Sequence, residues 1–390
     1  MEFTIHSQVL MIVFITAAVM GAIVNKTNFC TMGAVSDWVN MGDKGRIRAW
    51  ILAMAVGISG VLLMEATGVI TLPSDTFPPY RTANFAWLRY ILGGFVFGIG
   101  MTLASGCGNK TLIRIGGGNI KSLVVLAIMA VSAYVMLWTD VFDSAFMSWI
   151  RPTIVDLGNF NMNSQKLGDM VAAGAESTDT VNMILAAIIV VALLAYVFKS
   201  ADFRGNFDNV LAGLAVGAAI LIGWYVTGSN YEAWKEFADF ADTPPSRVSV
   251  QSYTFISPAG DLVRYLQQPT NFALINFGIV ALLGVMLGSF LYAIISKSFR
   301  IEWFLNGKDF ANHAVGAVFM GVGGVLSMGC TIGQAVSGIS TLALGSFLTF
   351  VAIVFGCALT MKVQFNMMDE QSFGQALVSS LREMKLLPKT

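Results

Sequence analysis

Charged residues are scarce in this 390-residue chain. Only 12% of the residues are Asp, Glu, Lys or Arg, about half the fraction usual in soluble proteins, whereas 56% are hydrophobic. This composition excludes an ordinary aqueous surface. Proline is also rare, with 9 residues, while 39 glycines, 21 methionines and 28 phenylalanines are present. Such a profile favours close-packed helices in lipid.

Cysteine and histidine are too few and too isolated for most metal or redox chemistry. The four cysteines lie far apart without a CxxC pair, and the only histidines are His6 and His313. Structural zinc sites usually combine paired thiolates with further Cys or His ligands. A membrane thiol oxidase would need paired cysteines in an external loop. The sequence therefore predicts no metal site and no cofactor.

Nine apolar runs are long enough to cross a bilayer, whose core requires roughly 20 residues per helix. They lie near residues 8–24, 47–70, 88–105, 119–139, 181–198, 208–228, 272–296, 311–328 and 340–361. The first has no basic segment before it and no clear cleavage site, so we expect a retained span. Uninterrupted runs exclude the alternating strands of an outer-membrane barrel. We predict an all-α polytopic membrane protein.

Basic residues in the short loops predict the orientation of the chain. The first eight residues contain no Lys or Arg. The basic residues that follow spans 1, 3, 5 and 7 or lie in the C-terminal tail are Lys26, Lys44, Arg46, Arg48, Lys110, Arg114, Lys121, Lys199, Arg204, Lys297, Arg300, Lys308, Lys362, Arg382, Lys385 and Lys389. We expect a bacterial inner-membrane protein with its N-terminus in the periplasm and its C-terminus in the cytoplasm.

One internal repeat is visible. Residues 93–107 read GGFVFGIGMTLASGC and residues 316–330 read GAVFMGVGGVLSMGC. The copies end spans 3 and 8, and this odd offset means that they cross the membrane in opposite directions. We therefore predict two inverted repeats, about 8–140 and 208–362, connected by span 181–198 within one transport domain, 1–362, with a cytoplasmic tail, 363–390.

Three cysteines stand where apolar runs are interrupted. Cys107 and Cys330 end the two repeat copies, and Cys30 follows span 1, whereas Cys357 lies within an ordinary span and is interpreted as a packing residue. The segments after Cys107 and Cys330 are too polar and glycine-rich to begin a spanning helix at once. Non-helical backbone at membrane depth is tolerated only where it lines a cavity or is buried in protein. We predict short re-entrant helices at a substrate path.

Such breaks offer chemistry suited to a sulfur-bearing anion. A helix N-terminus presents free N–H groups and partial positive charge, and a neutral thiol adds a weak donor with a soft sulfur. Loose binding of this kind suits conduction. The predicted substrate-binding residues are Cys30, Gly106, Cys107, Gly108, Asn109, Lys110, Gly329, Cys330, Thr331 and Gln334. Lys110 is equally explained as a topology signal.

These segments resemble the YeeE/YedE sulfur-transport proteins of prokaryotic inner membranes, in their thiosulfate-importing branch. The resemblance rests on NFC ending at Cys30, SGCGNKTLIRIGGG around Cys107, SMGCTIGQAVSG around Cys330, and FRGNFDNVLAGLAVG at 203–217. It implies nine spans in two antiparallel halves, an hourglass shape, and thiosulfate passed between the three cysteines. A small cytosolic TusA-like sulfur carrier is the partner that the resemblance implies; no nucleic-acid partner is expected.

Two other functions remain open on the sequence. The same cysteines could serve a sulfane-sulfur or persulfide relay enzyme, which needs one thiol of depressed pKa, or a transporter of metal or selenium compounds. Two further features have a plain and a functional interpretation. Glu65 is either a proton-coupling acid or a residue reached by water. The tail, with Phe373, Leu377, Leu381 and Leu386, either lies on the inner membrane surface or docks the carrier.

Overall fold

The computed structural model describes residues 4–74, 76–172 and 178–388. Lys389, and the outermost ends of the predicted domains at 1–3 and 389–390, lie outside the described residues. Within them, nine helical stretches are long and apolar enough to cross a membrane: Ile5–Met41, Gly45–Ala66, Trp87–Gly116, Ile120–Trp138, Thr180–Phe198, Phe207–Ser229, Phe277–Ile295, Gly307–Gly338 and Leu344–Met368. Each of the nine predicted runs falls on one of them, so the prediction of an all-α polytopic membrane protein is confirmed.

Seventeen α-helices occur in the described part of the chain. In order they are α1 (Ile5–Thr27), α2 (Thr31–Ser36), α3 (Gly45–Ala66), α4 (Trp87–Leu103), α5 (Gly108–Gly116), α6 (Ile120–Trp138), α7 (Ser148–Ile150), α8 (Leu167–Ala172), α9 (Thr178–Phe198), α10 (Ala201–Gly205), α11 (Phe207–Ser229), α12 (Tyr231–Phe240), α13 (Ile256–Gln267), α14 (Phe277–Ile295), α15 (Gly307–Leu326), α16 (Leu344–Met368) and α17 (Phe373–Glu383). Segments Asp37–Met41, Asp143–Met147 and Thr331–Gly338 are π-helical, and strands β1 (Asn84–Phe85) and β2 (Val155–Asp156) pair antiparallel.

The two glycine-rich repeat copies pack directly against each other. A Cβ placed on Gly93 would lie 2.9 Å from the carbonyl oxygen of Gly323, and one on Gly100 would lie 2.7 Å from that of Gly316. The contact partners run in opposite order along α4 and α15, so these helices are antiparallel. Only glycine permits this backbone approach. The repeated glycines therefore form the central helix contact of the protein.

Helix packing follows the same pattern on both sides of this contact. Helix α1 packs on α14 as α3 packs on α11, and α4 packs on α16 as α15 packs on α6. If the first four spans are exchanged in order with the last four, the α1–α14 contact becomes the α11–α3 contact, and the α4–α16 contact becomes the α15–α6 contact. A two-fold relation produces this pattern, although the exact division into repeats and connector stays a prediction.

An ion-pair network fixes the turn before α16. Arg81 donates to both carboxylate oxygens of Glu65, at 2.5 and 2.9 Å, and through Nε to the carbonyl of Thr341. Lys166 Nζ lies 3.5 Å from the same carboxylate. Glu65 is therefore held by two cations, and this geometry favours a structural role for the acid over proton coupling.

Helix α17 folds back onto the end of α16. Its Leu377 and Leu381 pack on Leu359 and Val363, and Asn366 donates to the hydroxyl of Ser380 at 3.0 Å. Span 9 also extends to Met368, past the predicted boundary at 362. The apolar face expected to lie on the membrane is thus partly covered by the protein itself.

Candidate functional site

The three helix breaks share one backbone construction. Two residues before each cysteine, Asn28, Ser105 and Met328 adopt left-handed φ values of 52°, 58° and 60°. The residue after each of them donates its N–H to a carbonyl five positions earlier: Phe29 to Val24 at 3.3 Å, Gly106 to Met101 at 2.8 Å, and Gly329 to Gly324 at 2.8 Å. This is the Schellman termination of an α-helix. It ends α1, α4 and α15 at equivalent points.

Each cysteine then begins the next helical segment. All three have extended backbone. The sulfurs of Cys30 and Cys330 accept from the N–H three residues ahead, Gly33 at 3.5 Å and Gly333 at 3.4 Å, whereas Cys107 stands at the same position without a side-chain cap hydrogen bond. The sulfur occupies the position of an N-cap side chain, where serine or aspartate is usual. Because a thiol accepts hydrogen bonds only weakly, the N–H groups in the first turn of each segment are poorly satisfied.

The breaks meet inside the protein. Lys110, three residues after Cys107, donates to Asn28, two residues before Cys30, and α5 packs against the segment Thr331–Gly338 that Cys330 begins. The cysteine side chains are enclosed, since Cys30 is 5% exposed, Cys107 1% and Cys330 0%. Segments distant in sequence therefore bring three buried thiols into one region of the interior, where Cys107 lies near both Cys30 and Thr331.

Two loop segments cover the Cys330 end of this line. Thr254 Oγ1 lies 3.9 Å from Cys330 Sγ, and Tyr80 donates its hydroxyl to the carbonyl of Gly333 at 2.7 Å. Burial raises the pKa of Tyr80 well above its ordinary value, so the phenol remains a donor at neutral pH. Ile256, two residues after Thr254, packs against Gly108 and Gly324. The segment that contains Thr254 therefore contacts the residue after Cys107 and also α15, the helix that leads to Cys330.

Basic side chains gather at the Cys30 end. Lys110 donates to Asn28 Oδ1 at 2.7 Å and lies near Cys30, Cys107 and Arg114. Arg46 pairs with buried Asp37 at 2.5 and 2.8 Å. Asp37 thus neutralises Arg46, whereas Lys110 and Arg114 form no ion pair with a carboxylate in the described part of the chain.

The remaining predicted site residues also lie at these breaks. A Cβ on Gly106 would lie 3.2 Å from Lys110 Cγ, and one on Gly329 would lie 3.2 Å from Gln334 Cγ. Asn109, Thr331 and Gln334 are buried. Cys357 instead packs between α4 and α16, where its sulfur accepts from Thr102 Oγ1 at 3.2 Å. This geometry fits its interpretation as a packing residue.

Sequence reasoning missed Thr31, Tyr80 and Thr254. Thr31 follows Cys30 as Thr331 follows Cys330, a parallel that was readable from the chain. The segment around Thr254 carried a weaker signal, the uncharged stretch 248–260 within an otherwise charged loop. Nothing in the sequence distinguishes Tyr80 from other loop tyrosines. In the described part of the chain no group of three His, Cys, Asp or Glu residues is placed to hold a metal ion.

Two known proteins are similar to most of this chain. The thiosulfate transporter TsuA of Escherichia coli (strain K12) is 24% identical over 361 residues, covering 87% of this chain and 90% of the relative. TsuA of Spirochaeta thermophila (strain ATCC 700085 / DSM 6578 / Z-1203) is 21% identical over 344 residues, covering 86% and 93%. The family model described as Sulphur transport matches residues 26–359, a range that contains all three cysteine breaks. The chain therefore belongs to the sulphur transport family.

Proposed function

We propose that this protein is an importer of thiosulfate, or of a closely related sulfur anion, in the bacterial inner membrane. The observation that carries the proposal is that three buried cysteines, Cys30, Cys107 and Cys330, stand at helix breaks that pack against one another. Family membership and the names of the two relatives support the substrate class. The anion passes between thiols without covalent turnover, so the protein acts as a transporter and not as an enzyme.

The chemistry of the thiols suits transient binding of the anion. A thiol is a weak hydrogen-bond donor with a polarizable sulfur, so it contacts the terminal sulfur of thiosulfate without trapping the ion. Gly106, Gly108 and Gly329, the sequence neighbours of Cys107 and Cys330, add no side chains of their own. Conduction needs binding that is favourable enough for entry and weak enough for release.

The charge distribution favours movement from Cys330 toward Lys110. The anion enters past Tyr80 and Thr254, both of which are neutral. At the other end Lys110 and Arg114 lower the electrostatic energy of an anion that leaves the Cys30–Cys107 pair. Because these basic residues belong to the face predicted to be cytoplasmic, the direction is inward.

A substrate panel tests this function. Purified protein in liposomes should accumulate labelled thiosulfate and exclude sulfate, because sulfate offers no soft sulfur to the thiols. Sulfite and selenite complete the panel. Faster uptake of selenite than of thiosulfate would assign the protein to selenium transport, and label that stays on the denatured protein would indicate a covalent sulfur relay.

Orientation provides an independent test. With the predicted topology, green fluorescent protein fused at the C-terminus should fluoresce, and alkaline phosphatase fused after α6 should be active, because it is active only in the periplasm. Phosphatase activity from a C-terminal fusion, together with a non-fluorescent green fluorescent protein fusion, would reverse the proposed direction.

A TusA-like sulfur carrier is the proposed cytosolic partner. Support for it is the resemblance described above and the position of α17, which lies against the end of span 9 with Phe373 64% exposed. An exposed aromatic side chain beside the predicted exit is a suitable contact for a carrier that receives the imported sulfur.

A further inference from the structure

Three buried polar side chains near the cysteines each have an oxygen atom with no hydrogen-bond partner among the described residues. The atoms are Thr31 Oγ1, Asn109 Oδ1 and Thr331 Oγ1, in side chains that belong to residues 2%, 1% and 0% exposed. Thr331 approaches the sulfur of Cys107 but does not form a well-directed hydrogen bond with it. Each of the three lies one or two residues after one of the path cysteines.

The pairing is regular. Thr31 directly follows Cys30, Thr331 directly follows Cys330, and Asn109 is the second residue after Cys107. All three belong to the first turn of the helical segment that the cysteine begins. Every break thus combines one soft thiol with one polar group whose hydrogen bonding is unsatisfied.

A buried polar group without a hydrogen-bond partner destabilises a protein unless a ligand supplies the missing partner. A threonine hydroxyl donates a hydrogen bond, whereas the unpartnered Asn109 Oδ1 only accepts one. Gln334 resembles Asn109, because its Nε2 is bound to the carbonyl of Ser327 and only its acceptor Oε1 is free. An anion oxygen therefore finds free donors at Thr31 and Thr331 but not at Asn109 or Gln334.

We propose that the hydroxyls of Thr31 and Thr331 donate hydrogen bonds to the oxygen atoms of the transported anion while the neighbouring thiols contact its terminal sulfur. This inference rests on the proposed thiol path and adds a selectivity mechanism to it. The preferred ligands are sulfur-substituted oxyanions, which have both a soft end and an oxygen end. Sulfate lacks the soft end, and hydrosulfide lacks the oxygens.

Thr31→Val and Thr331→Val test the proposal, since valine keeps the shape of threonine and removes the hydroxyl. In liposomes each variant should raise the KM for thiosulfate by about tenfold or more, the effect of losing one hydrogen bond to a charged ligand. Hydrosulfide should inhibit thiosulfate uptake by the variants at least as strongly as it inhibits the unmodified protein. It contains no oxygen atom, so it does not use the hydroxyl that the substitution removes. The apparent unfolding temperature should stay equal or rise, since an unsatisfied hydroxyl is removed from the interior.

Thr349→Val is the matched control. Thr349 is 0% exposed and its hydroxyl is likewise unpartnered, but it lies in α16 and follows no cysteine. Its replacement should leave the KM unchanged. An unchanged KM in both Thr31→Val and Thr331→Val overturns the inference, as does a lowered unfolding temperature in both, which would give these threonines a structural role. The proposed thiol path fails separately if cysteine replacement leaves thiosulfate uptake intact.

Discussion

Replacement of Cys107 by alanine is expected to reduce thiosulfate uptake by about tenfold or more, a loss that corresponds to roughly 1.4 kcal/mol of transition-state stabilisation. Cys107 is the central thiol, because it lies near both Cys30 and Thr331. Removing it interrupts the line between the two ends of the path. Initial uptake of labelled thiosulfate into liposomes, normalised to inserted protein, measures the effect.

Serine at the same position separates shape from sulfur chemistry. A hydroxyl is similar in size to a thiol but donates hydrogen bonds more strongly and lacks the soft sulfur. Cys107→Ser and Cys330→Ser should therefore transport nearly as poorly as the alanine variants, and Cys30→Ala should also be impaired. Cys357→Ala is the control, because Cys357 bonds to Thr102 between two packed helices. Normal transport by both serine variants would reduce the thiols to packing residues.

Gly93→Ala is expected to destabilise the protein by about 1–3 kcal/mol, the usual cost of overpacking a tightly packed interior. The added methyl group would lie 2.9 Å from the carbonyl oxygen of Gly323 and 2.9 Å from the carbonyl carbon of Leu326. Both neighbours are backbone atoms of α15 and have no rotamer with which to move aside. The apparent unfolding temperature in detergent should fall, and transport should fall with it.

Gly374→Ala is the matched substitution. Gly374 lies in α17, and a Cβ there would meet no atom within 4 Å. Because alanine favours helix over glycine by roughly 0.5–1 kcal/mol, this variant should be as stable as the unmodified protein or slightly more stable. An equal decrease of the unfolding temperature in both variants would mean that the α4–α15 contact is not the packing constraint assigned to it.

The breaks contain two kinds of unfavourable local structure. Left-handed backbone at Ser105 and Met328 costs about 1–2 kcal/mol per residue in the absence of glycine. A buried polar atom without a partner costs about 1–3 kcal/mol. Strain of this kind persists where surrounding structure enforces it and is concentrated at functional sites. Left-handed residues and unpartnered polar atoms both recur beside the three cysteines. This recurrence supports the assignment of the breaks to the substrate path.

Sequence alone determined the spans and the positions of the breaks. Apolar runs of about 20 residues predict spanning helices because the bilayer imposes that length, whatever the neighbouring helices are. Local polarity and glycine content likewise placed the interruptions at Cys30, Cys107 and Cys330. These features depend on residues close together in the chain, so they were readable without the fold.

Only the tertiary structure decided which side chains meet. The hydrogen bond of Lys110 with Asn28 and the packing of α5 on Thr331–Gly338 bring together cysteine breaks far apart in sequence. Thr254 and Tyr80 reach Cys330 and Gly333 from loops that carry no distinctive pattern. The pairing of Glu65 with Arg81 was equally hidden. Such contacts arise from helix packing, which depends on how well helix surfaces distant in sequence fit together. The pattern of hydrophobic residues along the chain does not specify which individual residues meet.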